Sequence, residues 1–234
     1  MGFYTQLSTL IPDQSCVLCA ENAKLCVCHE CESSFSNHQP RCKSCAHPIG
    51  GKLDFCGQCL AHTPAFNRAY TLYDYQGAIA DLIKIFKFDH RLCVGDYFSH
   101  QLYDLYQSIV SKDVQYDAII PMPLSRSRMS ERGYNQVLEL LRVISKKTNT
   151  IIDTHSINRI KATQPLSALN PEQRRQEIKG AFSVKPMPYS KVLLVDDVMT
   201  TGSSLNELAS TILKNTDVKY CDVMTLARAE SKFN

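Results

Sequence analysis

The sequence contains no tryptophan. It also lacks any run approaching the roughly 18 apolar residues of a membrane span, which excludes a conventional transmembrane helix. Its first fifteen residues, MGFYTQLSTLIPDQS, show no basic start followed by an apolar core, so no export signal is read there. Gln6 stands where a myristoylation pattern wants Ser or Thr. A cytoplasmic protein without membrane insertion is the expectation. Charge of one sign is scarce as well: the formal net charge is only +3, too little to announce a nucleic-acid binder from composition alone, although local basic clusters can still hold a polyanion. What the chain does have is length for a real core, 234 residues of which 44% are hydrophobic, and an unusual stock of cysteine.

Nine of the eleven cysteines lie within the first 59 residues, and eight of them form four CxxC pairs: Cys16/Cys19, Cys28/Cys31, Cys42/Cys45 and Cys56/Cys59. A CxxC turn aims two thiolates at one point about 2.3 Å away, and two such turns complete the tetrahedral sulfur cage that Zn²⁺ prefers. The gaps of 8, 10 and 10 residues between successive pairs suit two consecutive zinc ribbons, Cys16/Cys19/Cys28/Cys31 and Cys42/Cys45/Cys56/Cys59, with an interleaved pairing as the alternative and one or two structural Zn²⁺ as the content. Disulfides fit a chain without an export signal less well, and iron-sulfur ligation is rarer still. Cys26 can replace Cys28 as a ligand, whereas Cys93 and Cys221 sit in apolar runs and read as packed thiols. His29, His38, His47 and His62 read as solvated loop residues. So small a head has too little apolar surface to fold alone, so metal must supply roughly 10 kcal/mol or more per site, and without zinc it unravels. Fully ligated four-sulfur sites leave no open position, which gives the head a structural or partner-contact role.

The expected division is a cysteine-rich module at 1–64 and an α/β domain at 65–234. From about residue 66, strand-like and helix-like segments alternate, the pattern of an α/β fold with a largely parallel sheet flanked by helices. A strand over Ala69 to Tyr75 leads into a helix over Ala78 to Phe88, where Ile79, Leu82, Ile83 and Phe86 recur at helical spacing and Lys84 and Lys87 share another stripe. Tyr116 to Met122 reads as a buried strand broken by Pro121 and Pro123. It is followed by the basic loop LSRSRMSERGYNQ and one helix with an apolar face through Val137, Leu138, Leu141 and Ile144. Ile151 and Ile152 mark a further strand, and the polar, proline-interrupted stretch Asn158 to Arg175 reads as a mobile loop.

The most informative run is KVLLVDDVMTTGSSLNELASTILK, residues 191 to 214. A strand over Val192 to Val195 ends in Asp196 and Asp197. Leu205, Leu208, Ala209, Ile212 and Leu213 then require a helix that starts near Gly202 or Ser203. Free backbone N–H groups at that helix start, its dipole, and the hydroxyls of Thr200, Thr201, Ser203 and Ser204 form a cradle suited to one phosphate, with Gly202 allowing close approach. The acids just upstream can accept hydrogen bonds from vicinal sugar hydroxyls. Paired acids at a strand end also serve metal sites in phosphatases and response regulators, but those lack a TTGSS turn opening a helix.

VLLVDDVMTTGSS resembles the signature with which type I phosphoribosyltransferases bind 5-phosphoribosyl-1-pyrophosphate (PRPP). By that resemblance Asp196 and Asp197 bind the ribose hydroxyls and act in catalysis, and Thr200, Thr201, Gly202, Ser203 and Ser204 hold the 5-phosphate. Pro121 to Ser125 resembles the pyrophosphate-binding loop, with Pro123, Leu124 and Ser125 as contacts, and Arg132, Lys84 and Lys87 are candidates to neutralise the leaving group. Mg²⁺ is implied with PRPP, bridging its pyrophosphate and ribose oxygens. The whole chain is also similar to the competence protein F (ComF) family in its four CxxC pairs, IIPMPLSRSRMSERGYNQ, RIKATQPLSALNPEQRR, Gly180-Ala181-Phe182 and the PRPP signature. That similarity implies DNA uptake in natural transformation and handling of imported single-stranded DNA. Glu177 departs from it, since the family usually has Asn there.

A rival class is a binding module in which PRPP or a nucleotide regulates contact with DNA or with other DNA-uptake proteins and no bond is broken. Arg126, Arg128, Arg132, Arg159, Lys161, Arg174 and Arg175, near Tyr134, are the candidate DNA contacts, because a basic groove with a stacking ring can follow a single strand. A base-salvage or glutamine-dependent enzyme fits less well: nothing identifies a base-recognition hood, and the N-terminus lacks a cysteine nucleophile.

Overall fold

The computed structural model describes residues 14–23, 26–35, 39–51, 53–88, 91–110, 114–125, 129–130, 133–161 and 171–229, the side chains of 14, 171, 172, 174 and 175 excepted. The cysteine-rich head uses one small design twice. Strand β1 (Gln14–Ser15) pairs antiparallel with β2 (Asn22–Ala23) around the Cys16–Cys19 turn, and helix α1 (His29–Ser33) follows with Cys28 at its N-cap. In the second copy a single bridge between Arg41 and Pro48 encloses the Cys42–Cys45 turn, and Cys56 caps α2 (Gly57–Ala61). In each turn the residue after the second cysteine is a left-handed alanine, Ala20 at φ 65 and Ala46 at φ 55. Each alanine N–H donates to the carbonyl of the first cysteine, Cys16 or Cys42, at 2.9 Å.

The body continues with β3 (Ala69–Asp74), α3 (Gly77–Phe88), α4 (Leu92–Ile109) and β4 (Ala118–Pro121). After these come α5 (Gln136–Leu140), α6 (Arg142–Lys147), β5 (Ile151–Ile152), β6 (Ile157–Arg159) and α7 (Pro171–Ile178). The chain closes with β7 (Phe182–Val184), β8 (Lys191–Met199), α8 (Ser203–Asn215) and β9 (Tyr220–Arg228). Five strands form a parallel sheet in the order β3-β9-β8-β4-β5, and β6 and β7 form a separate antiparallel pair.

Parallel strands bury both faces, so their sequences read as continuous apolar runs. Period-two alternation then sorts the core into two layers. Ile119, Leu193, Val195 and Met224 face α3, α4, α5 and α6, while Ile120, Val192, Leu194 and Val223 face α8 and the β6–β7 pair. Leu205, Leu208, Ala209 and Ile212 of α8 are buried, and each Leu or Ile so buried contributes roughly 1.5–3 kcal/mol. The head packs on this body: Glu32 accepts from Tyr97 Oη at 3.1 Å and Gln101 Nε2 at 2.8 Å, Phe35 meets Tyr73 edge-on, and Arg41 pairs with Asp74 at 2.8 Å. No helix among the described residues is long and apolar enough to cross a membrane.

Several local expectations change. β8 runs on through both acids to Met199, because Asp196 and Val198 keep pairing with Thr225 and Ala227 of β9. Pro121 ends β4 rather than breaking it, and the next residue, Met122, donates its N–H to the Val195 carbonyl at 2.8 Å. The single helix expected over 137–144 is two short ones that meet at Leu141. Leu140 and Val143 join Val137, Leu141 and Ile144 in the core, whereas Leu138 is 40% exposed. Asn158 to Arg175 is not all loop: Asn158 and Arg159 pair with Ser183 and Phe182, and α7 begins at Pro171. Ladder bonds formed across some twenty-five residues of chain hold β6, and no local periodicity announces them.

A left-handed alanine costs roughly 1–2 kcal/mol that glycine avoids, partly offset by glycine's freedom in the unfolded chain. Ala20→Gly and Ala46→Gly are therefore expected to stabilise the zinc-loaded protein by about 0.5–1 kcal/mol each. Denaturant unfolding at fixed zinc concentration measures this, and equal or lower stability would show that these turns carry no strain.

Candidate functional site

Strand β8 delivers the acids to the carboxyl edge of the sheet, and the geometry there is tightly interlinked. The Asp197 N–H donates to Asp196 Oδ1 at 2.9 Å, and the Val198 N–H donates to Asp197 Oδ1 at 2.6 Å. Lys87, in the last turn of α3, places Nζ 2.8 Å from Asp197 Oδ2. Lys84, one turn earlier, stays on the exposed face and pairs with Asp81 at 2.9 Å.

Gly202 is left-handed at φ 76 and is the N-cap of α8, so the chain turns from strand to helix within three residues. A Cβ at that position would come within 3.3 Å of the Met199 sulfur. Thr201 Oγ1 and Ser203 Oγ lie 2.8 Å apart, and the Asn206 N–H donates to the Gly202 carbonyl at 2.8 Å, closing the first helical bond. The arrangement leaves a helix start bearing hydroxyls directly after an acid pair, a geometry that can bind an oxyanion and a polyol together.

Pro123, Leu124 and Ser125 line a cleft of about 760 Å³ that also takes in Arg159, Lys161, Asn135 and Asp153. Thr201, Gly202 and Ser203 instead border a smaller cavity of about 140 Å³, shared with Cys45, Cys59, His62 and Arg228. The loop expected to take pyrophosphate and two of the basic candidates thus meet in one cleft, and the turn expected to take a phosphate borders a different cavity. Lys161 Nζ donates to the Glu177 carbonyl at 2.6 Å, and the Arg159 guanidinium lies 5.8 Å over the Phe182 ring. Arg126, Arg128 and Arg132 lie outside the described residues, as do the side chains of Arg174 and Arg175 and all of His38.

Sequence reasoning missed three residues here. Asn135 is buried, caps α5 through Val137 N at 3.0 Å, and donates from Nδ2 to the Met122 carbonyl at 3.1 Å, clamping the loop after β4. Its signal was the preference of Asn for helix N-caps. Asp153 accepts from the backbone N–H groups of His155 and Ser156 and from Ser156 Oγ. Burial opposes its ionisation, but the Ser156 hydroxyl and those N–H groups outweigh it and hold its pKa below the usual carboxylate range. Arg228 is 1% exposed at the end of an apolar strand, where a lone arginine was itself the clue.

The sulfurs assort as two consecutive sets, Cys16/Cys19/Cys28/Cys31 and Cys42/Cys45/Cys56/Cys59, each with all four Sγ atoms within 4.8 Å of one another. The Cys19–Cys28 and Cys45–Cys56 sulfur separations are 3.6 Å, close to the edge of a tetrahedron with zinc–sulfur bonds of about 2.3 Å. Both sets fit Zn²⁺, and the interleaved pairing is excluded. Cys26 is not a ligand: it is buried against Cys93 and joins the main core rather than the sulfur set.

A parallel α/β body with paired acids and a hydroxyl-rich helix start at its carboxyl edge, carrying a head of two four-sulfur zinc-type modules, is the class of protein that fold and site define. No family model matches the chain. It is 32% identical over 228 residues to competence protein F of Haemophilus influenzae, covering 92% of this chain and 96% of that one. It is 30% identical to the DNA utilization protein YhgH of Escherichia coli O157:H7, over 81% of this chain and 85% of that one. Competence protein ComFC of Streptococcus pneumoniae is 24% identical over 92% of this chain and 93% of its own length. The chain belongs to the ComF family.

Within each sulfur set one thiol is poised as a thiolate. Burial opposes this, but the backbone N–H groups of Cys28, Cys19 and Leu18 lower the pKa of Cys16 from 9.0 to about 6. Burial again opposes those of Cys45, Cys56 and Ser44, which lower Cys42 from 9.0 to about 7. Cys31 and Cys59 are pushed up by burial and by neighbouring sulfurs. The contribution of the depressed thiols is complete above the ordinary thiol pKa and is lost as pH falls through about 7 and 6, while the raised thiols must release their protons to solvent when metal binds. Zinc binding at about pH 7.5 should therefore release more than one proton per ion, and apparent affinity should fall by more than about tenfold per unit between about pH 7 and 6. Competition with a chromophoric chelator measures this; a flat profile would contradict the assignment.

Proposed function

We propose that the body binds PRPP and that the protein acts as a phosphoribosyltransferase-family component of DNA uptake. The observation that carries the reading is the turn from β8 to α8: adjacent acids, then Thr200 and Thr201, a left-handed Gly202, and a helix of 13 residues opening on Ser203 and Ser204. In this reading Asp196 and Asp197 take the vicinal ribose hydroxyls, Thr200 to Ser204 take the 5-phosphate, and Pro123, Leu124 and Ser125 flank the pyrophosphate. Lys87 is held at Asp197, where it can offset negative charge arriving with the ligand. Arg132 and Lys84 stand as further charge-neutralising candidates. Magnesium enters with PRPP, and Asp196 and Asp197 are the hard oxygen donors at this strand end that suit it. The head of residues 1–64 is read as a structural module on the transferase-like domain of residues 65–234.

The relatives carry the names competence protein F and DNA utilization protein. On that ground we read the protein as acting in the cytoplasm on imported single-stranded DNA, with other DNA-uptake proteins as further partners. Arg159 and Lys161, beside the large cleft, together with Arg126, Arg128, Arg132, Arg174 and Arg175, are the proposed phosphate contacts.

Calorimetry with PRPP and Mg²⁺ tests the reading on zinc-loaded protein. Asp196→Asn with Asp197→Asn is expected to weaken binding at least about 100-fold with the α/β circular dichroism signal unchanged, since hydrogen bonds to charged groups are worth roughly 1.5–3 kcal/mol each. Wild-type protein that gives no heat at several temperatures yet still binds an oligonucleotide would make the site a scaffold for DNA handling instead.

A further inference from the structure

Arg228 closes β9 as the largest side chain in the fully buried core, 1% exposed. A guanidinium so placed needs acceptors for its donors and an opposing charge. Nε donates to the Cys45 carbonyl at 3.1 Å, and Nη1 donates to the carbonyls of Met199 at 3.1 Å, Ala229 at 2.8 Å and Thr200. Among the described residues no carboxylate pairs with it. Burial disfavours its charge, and the groups that favour it are Cys45, Cys56 and Cys59. A zinc ion held by four thiolates carries a net double negative charge, so the second metal centre supplies the counter-charge that this arginine lacks.

The other end of the contact fixes the turn. A trans peptide sets its C=O and N–H in opposite directions. The Met199 carbonyl is held by the Ala229 N–H at 2.9 Å as well as by Arg228, and with the Thr200 carbonyl also on Arg228 the N–H groups of Thr200 and Thr201 point away from it, the orientation in which a turn offers donors to an anion. One small cavity is lined both by Cys45, Cys59 and Arg228 and by Thr201, Gly202 and Ser203 of the turn. The first centre has no such link among the described residues: its module meets the body at Tyr97 and Gln101 of α4.

We propose that Arg228 is a positioning residue that couples the second metal centre, Cys42/Cys45/Cys56/Cys59, to the Thr200–Ser204 turn, so that metal at that centre holds the turn ready for a phosphate. The coupling rests on reading the turn as the phosphate cradle. It gives the two zinc modules different work: the second supports ligand binding, and the first only docks the head.

Hydrogen exchange by mass spectrometry on full-length zinc-loaded protein tests it, comparing wild type, Cys56→Ser, Cys28→Ser and Arg228→Met. Peptides over 199–209, which contain the Asn206 amide bonded to Gly202, are expected to exchange about tenfold faster in Cys56→Ser and Arg228→Met and at the wild-type rate in Cys28→Ser. Peptides over β4 serve as the internal control. Equal exchange at the turn in all four proteins, or acceleration of β4 to the same extent, would overturn the coupling. A second measurement needs no variant: by reciprocity PRPP should tighten the equilibrium zinc affinity of one centre, read by chelator competition at equilibrium, by the same factor that zinc tightens PRPP, about tenfold. If wild type binds neither PRPP nor inorganic phosphate while the exchange difference persists, the coupling stands and the PRPP reading fails. If PRPP binds and the equilibrium zinc affinity of both centres is unchanged, the coupling fails alone.

Discussion

The placement of β8 between β4 and β9 is the constraint on which the rest of the molecule depends. Pairing on both edges satisfies its backbone while both faces are buried, and parallel direction forces its neighbours to end on the same side. The loop after β4, the acids near the end of β8, the turn that follows them, and Arg228 at the end of β9 are therefore brought to one edge by strand pairing, where Arg228 reaches the turn's carbonyls. Continued pairing of Asp196 and Val198 with β9 also stiffens the acids: their carboxylates hang from a ladder rather than from a loop, which favours a preformed site.

Metal and fold depend on one another in this chain. Each ribbon is a few turns and one short helix, too little apolar surface to persist alone, and zinc held where its sulfurs meet would supply roughly 10 kcal/mol or more. Once formed, the ribbons are not pendant. Glu32 anchors the first to α4, the Arg41–Asp74 pair anchors the second at the carboxyl end of β3, and the Cys45 carbonyl accepts from Arg228, which also donates to the Thr200 carbonyl of the turn after β8. A head that looks like an appendage in the sequence thus lines a cavity with the turn at the carboxyl edge of the sheet.

Features encoded by neighbouring residues are legible in the sequence itself. The four CxxC pairs announce both sulfur sets, the apolar run at 192–195 announces the central strand, and the spacing of Leu205, Leu208 and Ile212 fixes the start of α8 to within a residue. Features made by distant partners are not legible in this way. β6 exists because β7 lies beside it, the helix is broken at Leu141 where Ser99 of α4 accepts the Val143 N–H at 3.0 Å, and Leu138 lies outside the core although it matches the helical stripe. Arg228 is the hardest, since its acceptors are carbonyls, which no residue type betrays. Asn135 and Asp153 belong between these cases: each is a residue type that favours local backbone hydrogen bonds, but only tertiary contact shows what those bonds hold in place.

The measurement that reaches the central claim most directly is amide chemical-shift mapping of the zinc-loaded protein during titration with ribose 5-phosphate, the part of PRPP that the acid pair and the turn would share. The account predicts saturable shifts concentrated at Thr200 to Ser204, with Asp196 and Asp197 moving along the same titration curve. Shifts confined to Arg159 to Lys161 and the loop at Pro123 to Ser125, with the turn unmoved, would contradict it and relocate the anion site to the large cleft.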